Sequence, residues 1–195
     1  MRDGSAIAVV GMSCRVPKAS DPSSFWELLS AGSSAISEVP PDRRAALVGD
    51  AELAPGARYG GFLEQIDRFD CAFFAISPRE AQAMDPQQRL MLELCWEALE
   101  DAAVAPDGLH GTQGGVFVGS ISSDYADLQR ESASEELTRH AMTGMQRGMI
   151  ANRVSYTLGL RGPSMTIDTG QSSSLVAVHL ACESLRRGES TLALA

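Results

Sequence analysis

Long apolar runs are missing from this sequence: none approaches the roughly 20 residues that span a bilayer, and the apolar part of "MRDGSAIAVVG" is too short for a signal peptide. A cytoplasmic protein with no membrane partner is expected. Clusters of Lys and Arg are missing too. Nothing offsets the formal charge of −9 and the pI near 4.8, so nucleic acid is excluded as an expected partner. Paired cysteines are absent: Cys14, Cys71, Cys95 and Cys182 lie far apart with no C-x-x-C spacing, which reads as four buried free thiols without disulfide or metal. No G-x-G-x-x-G occurs, and the glycines of "GTQGGVFVG" precede a strand instead of joining strand to helix, which removes a dinucleotide site. There is no internal repeat and no low-complexity tract. What remains is ordinary globular usage, 44% hydrophobic and 21% charged over 195 residues, enough for one domain with a sizeable core.

The stretch Pro163 to Glu189, "PSMTIDTGQSSSLVAVHLACESLRRGE", organises the rest. Ser164 to Ile167 alternates small or polar with apolar residues and predicts a short strand, Asp168 to Gln171 a turn containing one glycine, and Ser172 onward a helix. Strand, sharp turn and helix together present a side chain. Leu175, Val176, Val178, Leu180, Cys182 and Leu185 are apolar on more than one helix face, so the helix is expected to run through a core. Its unpaired N–H groups and positive dipole end lie where Gln171 projects. That position suits an activated thiolate or an anion, and this chain places a neutral amide there.

Elsewhere, "AIAVVG" (Ala6 to Gly11) predicts a strand buried on both faces. "DPSSFWELLSAG" predicts a helix capped by Asp21 or Ser23, with Phe25, Leu28 and Leu29 on one face and Gly32 at its stop. Ser33 to Tyr59 reads as a surface excursion and not a domain boundary. Pro86 starts a helix whose Leu90, Leu94, Cys95, Ala98, Leu99 and Ala102 form a core stripe, ended by Pro106 and Gly108. Gly114 to Ser120 is another short buried strand, Ile121 to His140 is polar and poorly periodic, and Met145, Met149, Ile150, Val154 and Leu158 make a helix face. "TLALA" is a strand cut off mid-run.

Two segments carry a family resemblance. Asp168, Thr169, Gly170, Gln171, Ser172, Ser173, Ser174 and Leu175 resemble the D-T-A-C-S-S-S-L active-site pattern of β-ketoacyl synthases in modular polyketide synthases, and "MDPQQRLMLELCWEALEDA" resembles the family segment around D-P-Q-Q-R. The family's nucleophilic Cys is replaced by Gln171. An amide cannot attack a thioester, so transacylation and condensation are lost. The resemblance implies an α/β thiolase-like fold, in α/β/α/β/α layers made from two pseudo-duplicated halves, with Met1 to Ala195 as the N-terminal half. It implies a ketosynthase-Q loading domain that decarboxylates malonyl or methylmalonyl on an acyl carrier protein. No cofactor binds directly, because phosphopantetheine arrives on the carrier, and no metal is expected.

The same resemblance implies an adjacent acyltransferase domain and a homodimer pairing through "GPSMTIDTG". The family strand matched by Ala6 to Gly11 opens the ketosynthase, leaving no room for a docking helix before it, as expected at the head of an assembly line. The family's two catalytic histidines, in H-G-T-G-T and N-x-G-H motifs, and its lysine belong to the other half. None of His110, His140 and His179 lies in such a motif, and His179 reads as a hydrogen-bonded core histidine. Alone, the chain is expected to be inactive. Arg130, Arg139, Arg147, Arg153, Arg161, Arg186 and Arg187 are candidates for a carrier-docking patch, against a simpler role as solvated surface charge. Two further roles keep the family: a chain-length-factor-like partner, and a non-catalytic scaffold that binds carrier protein. A serine hydrolase is excluded, since G-x-S-x-G fails with Ser172 one step late and Ser174 where Gly belongs.

Overall fold

The computed structural model describes residues 6–48, 54–132 and 139–195, and side chains are described outside 45–48, 130–132 and 139–141. The chain divides into two compact units, one of residues 12–66 and one made of the N-terminal residues to Gly11 together with Asp67–Ala195. Among the described residues no helix is long and apolar enough to cross a membrane.

The smaller unit contains α1 (Pro22–Ser30), β1 (Ser37–Glu38), α2 (Pro41–Val48), a 3-10 turn at Pro55–Ala57 and β2 (Tyr59–Gly60). Asp21 caps α1 as expected. Its carboxylate accepts from the Ser24 N–H at 2.9 Å while Ser24 Oγ accepts from the Asp21 N–H at 3.3 Å, closing a capping box. The expected apolar face is not buried: Leu29 is exposed, as is Trp26 beside it. The segment read as a surface excursion instead builds this unit, because β1 and β2 pair antiparallel across it through Ser37 with Gly60 and Glu38 with Tyr59. Short strands separated by a long polar segment leave little periodicity to read.

The larger unit carries the site. It contains α3 (Pro78–Ala83), α4 (Pro86–Asp101), a 3-10 turn (Pro106–Leu109), β3 (Gly114–Gly119), α5 (Asp124–Ser132), α6 (Arg139–Met145), α7 (Met149–Thr157), β4 (Ser164–Ile167), α8 (Ser173–Arg187) and β5 (Leu192–Leu194). The sheet order is β4-β3-β5, and both pairings are parallel. The connection from β3 to β4 runs through α5, α6 and α7, and that from β4 to β5 runs through α8. Parallel neighbours need such crossovers.

The central strand β3 is buried from Gly114 to Val118, and its two faces serve different layers. Val116 and Val118 join Met84, Leu92, Cys95, Leu99, Ile150 and Val154 in the core beneath α4 and α7. Phe117 points the other way, onto Ala177 and Ala181 of α8. That alternation is the strand's period of two. Three expectations are corrected at this level. Ala6–Gly11 forms no strand: Val9 is 78% and Val10 59% exposed, and only Gly11 abuts α4 closely, its missing Cβ leaving room for the Ala98 carbonyl. An apolar run states a demand for burial without naming the strand that meets it. The buried face of α4 is Gln88, Leu92, Cys95 and Leu99: the expected stripe is right at Cys95 and Leu99, but Leu90, Leu94, Ala98 and Ala102 are only partly buried and a glutamine joins the line. The polar segment after Ser120 contains α5 and the start of α6, while 133–138 lie outside the described residues.

Candidate active site

The strand and the turn before Gln171 match the sequence reading, with β4 at Ser164–Ile167 and Gly170 turning at φ +65°. The helix begins one residue later than expected, with Ser172 as the N-cap and α8 starting at Ser173. Glycine suits that left-handed backbone because it has no Cβ to collide with the carbonyl. The helix starts against the sheet at Gly119, where a Cβ would stand 2.7 Å from both Ser173 C and Ser174 N. Close approach also dictates which face of α8 is buried. Ser173, Ala177, Ala181 and Ser184 face inward, whereas Leu175 is 75% and Val178 48% exposed, correcting the expectation that the large residues line a core. His179 is likewise exposed and is not a core histidine.

The turn is tied by its own side chains. The Gly170 N–H donates to Asp168 Oδ1 at 3.1 Å, and the Thr169 N–H donates to Ser173 Oγ at 3.0 Å. Ser173 Oγ donates in turn to the Gly170 carbonyl at 2.6 Å, and Ser172 Oγ donates to the Thr169 carbonyl at 2.9 Å. Since the Ser172 hydroxyl has one proton, Thr169 Oγ1 is the donor in its 3.0 Å contact with Ser172 Oγ. Asp168, Thr169, Gly170, Ser172 and Ser173 are thus brought together as one knot around Gln171. Gln171 itself is exposed, and its amide has no hydrogen-bond partner among the described residues. The knot leaves the residue at its apex to face whatever enters.

Beside the turn lies a cavity of about 350 Å³ lined by Ser120, Gln146, Arg147, Gly148, Thr166 and Asp168. It sits at the carboxyl ends of β3 and β4, where open parallel sheets place ligands. Arg147 crosses its wall to pair with Asp168 Oδ2 at 2.5 Å. That guanidinium, helped by the Gly170 N–H, holds the Asp168 carboxyl below the usual carboxylate range. Arg147 is therefore committed to the site. Arg153 is also withdrawn from any docking patch, its side chain 11% exposed and bound to Glu80 Oε1 at 2.7 Å and Gln88 Oε1 at 2.6 Å. Arg186 and Arg187 pair with Glu183, Arg161 is exposed, and the side chains of Arg130, Arg139 and His140 lie outside those described.

The four cysteines are free, but only Cys95 is buried, which corrects the expectation for the other three. No cluster of metal-ligating residues occurs among the described residues. Sequence reasoning missed the Arg147–Asp168 pair and the glutamine inside the core. The small-residue face of α8 was readable in principle, as Ser173, Ala177, Ala181 and Ser184 recur at helical spacing.

Residues 4–195 match the model of the beta-ketoacyl synthase N-terminal domain. The chain belongs to the beta-ketoacyl synthase family. Within it, the chain is 60% identical over 193 residues to polyketide synthase GfsA of Streptomyces halstedii, spanning 97% of this chain and 3% of that protein. It is 51% identical over 195 residues to erythronolide synthase EryA3 of Saccharopolyspora erythraea, which covers all of this chain and 6% of that one. The solved ketosynthase from module 6 of the bacillaene synthase of Bacillus subtilis 168 superposes with a TM-score of 0.80 at 34% identity, over 95% of this chain and 30% of that chain. The oxazolomycin ketosynthase domain OzmH KS7 of Streptomyces albus JA3453 gives 0.80 at 36%, over 95% and 33%. The chain thus has the N-terminal half of the thiolase-like ketosynthase fold and spans about a third of those solved ketosynthase chains.

Proposed function

We propose that the complete domain containing this chain is the loading-type ketosynthase of a polyketide synthase. In this reading it decarboxylates malonyl or methylmalonyl on an acyl carrier protein to make the starter unit. The observation that carries the reading is Gln171 at the apex of the turn, in a position built to present a side chain at a helix N-terminus. Decarboxylation needs no nucleophile. The bond between the carboxylate and the α-carbon breaks, its electron pair enters the thioester as an enolate, CO2 leaves, and a proton is added at the α-carbon. The requirement is hydrogen-bond donors on the thioester oxygen and exclusion of water. The donors would be the family's two histidines, whose motifs do not occur in Met1–Ala195. Gln171 supplies a neutral amide of the shape of an acylated cysteine and keeps a thiolate away from the developing enolate.

The same reading assigns the partners. Phosphopantetheine arrives on the carrier protein, an acyltransferase domain loads it, and a second copy pairs along β4. The position of β4 at an edge of the described sheet supports that pairing. A cytoplasmic location accords with this chemistry. The test is CO2 release from radiolabelled malonyl-carrier protein by the full-length protein. Gln171→Ala is expected to lower release about 100-fold, as loss of a positioning group does. Unchanged release by that variant overturns the role of Gln171. No release by the unaltered protein, with carrier binding intact, replaces decarboxylation by a non-catalytic partner or scaffold.

A further inference from the structure

The side chain that holds the cavity together lies far from it in sequence. Gln88 is fully buried in the first turns of α4, a costly place for an amide unless every polar atom is paired. Its Nε2 lies 2.8 Å from the Gly144 carbonyl, 3.0 Å from that of Thr143 and 3.3 Å from that of Gln146, so one amide gathers the backbone leading out of α6. Its Oε1 accepts from Arg153 Nε on α7 at 2.6 Å. Arg153 is anchored in turn by Glu80. The segment so gripped runs directly into Arg147, which reaches Asp168 and through it the Gly170 N–H. The preceding residue, Gln87, fixes the opposite wall by accepting from Ser120 Oγ at 2.9 Å.

We propose that Gln88 is a positioning residue for the position occupied by Gln171, acting through the Thr143–Gln146 backbone and the Arg147–Asp168 pair. It touches no reacting atom. Its amide sets where Arg147 leaves the chain, and Arg147 sets the orientation of the turn. The proposal rests on residue 171 being the reacting position, but it does not depend on decarboxylation.

The test uses the full-length protein with Gln171→Cys, so that the thiol reports the geometry of the turn. Alkylation of residue 171 by iodoacetamide is followed by peptide mass spectrometry. Gln88→Met, which keeps the length of the side chain and removes its polar atoms, is expected to slow alkylation about fivefold, the size of effect a helix N-terminus has on a thiolate. Arg147→Met slows it equally, and Arg147→Lys restores much of the rate. The double variant Gln88→Met/Arg147→Met falls no further than either single change, because one acts through the other. A merely structural glutamine predicts multiplied effects, about 25-fold by the same reckoning. That product, or an unchanged rate in a folded Gln88→Met protein, overturns the proposal. Should Gln88→Met not fold, Gln88→Asn, which withdraws the amide by one methylene, carries the same comparison.

Discussion

Replacing Gly119 by Ala places a methyl group where α8 meets the sheet. The new Cβ would stand 2.7 Å from Ser173 C and from Ser174 N, and ordinary contact begins near 3.4 Å, so the helix must withdraw by 3.4 − 2.7 = 0.7 Å. The obstructing atoms are backbone and cannot swing aside as a side chain tip would. Overpacking of this kind costs about 2–3 kcal/mol, in the upper part of the usual range. At 1.4 kcal/mol per factor of ten, opening of α8 becomes roughly 30- to 140-fold more frequent. Hydrogen exchange of the peptide covering Asp168–Gly188, in the full-length protein, reads that number directly. The control is Gly108→Ala, where nothing lies within 4 Å of the added Cβ. It is expected to stay within about 0.5 kcal/mol of the parent. Equal exchange of the α8 peptide in the two variants refutes the claim that β3 seats the helix by lacking a side chain.

The remaining predictions concern the turn and the core. Ser173→Ala removes a 5%-exposed hydroxyl that accepts from Thr169 N–H and donates to the Gly170 carbonyl, and a loss of about 2 kcal/mol is expected by denaturation; a neutral result means the turn does not depend on the serine. The Asp168 carboxyl is held low, so its contribution is present above the unfolded carboxylate value near ~3.9 and lost as pH falls through the folded one. The exchange difference between the parent and Arg147→Met is therefore expected to be constant at neutral pH and to vanish in acid; growth in acid contradicts the pairing. Burial pushes the Cys95 thiol up to about 12, so at pH 8 it stays neutral and reacts with maleimide more slowly than half-buried Cys71 and Cys182. Labelling of Cys95 at their rate would place it outside the core.

Features set by neighbours in the chain were legible before any coordinates. The Asp21 cap, the start of α4 at Pro86 and the bounds of β4 follow from a side-chain oxygen, a missing N–H and an alternation, each acting within a few residues. The motif around Gln171 was legible for the same reason. What escaped depends on partners distant in sequence. Gln88 drew no attention in the sequence because its carbonyl partners come more than fifty residues later. Arg147 looked like free charge because Asp168 is 21 residues away. The apolar residues of α8 were assigned to the core because hydrophobicity was weighed without distance, and a helix seated on a glycine has room only for serine and alanine on its inner face.

The knot of Asp168, Thr169, Ser172 and Ser173 closes without drawing on the side chain of residue 171. Scaffold and reagent are therefore separable at this point. A change of one codon can re-equip the site with a thiol, an amide or a methyl group while the turn keeps its own bonds, so a lineage of such domains can exchange one chemistry for another without first solving a folding problem.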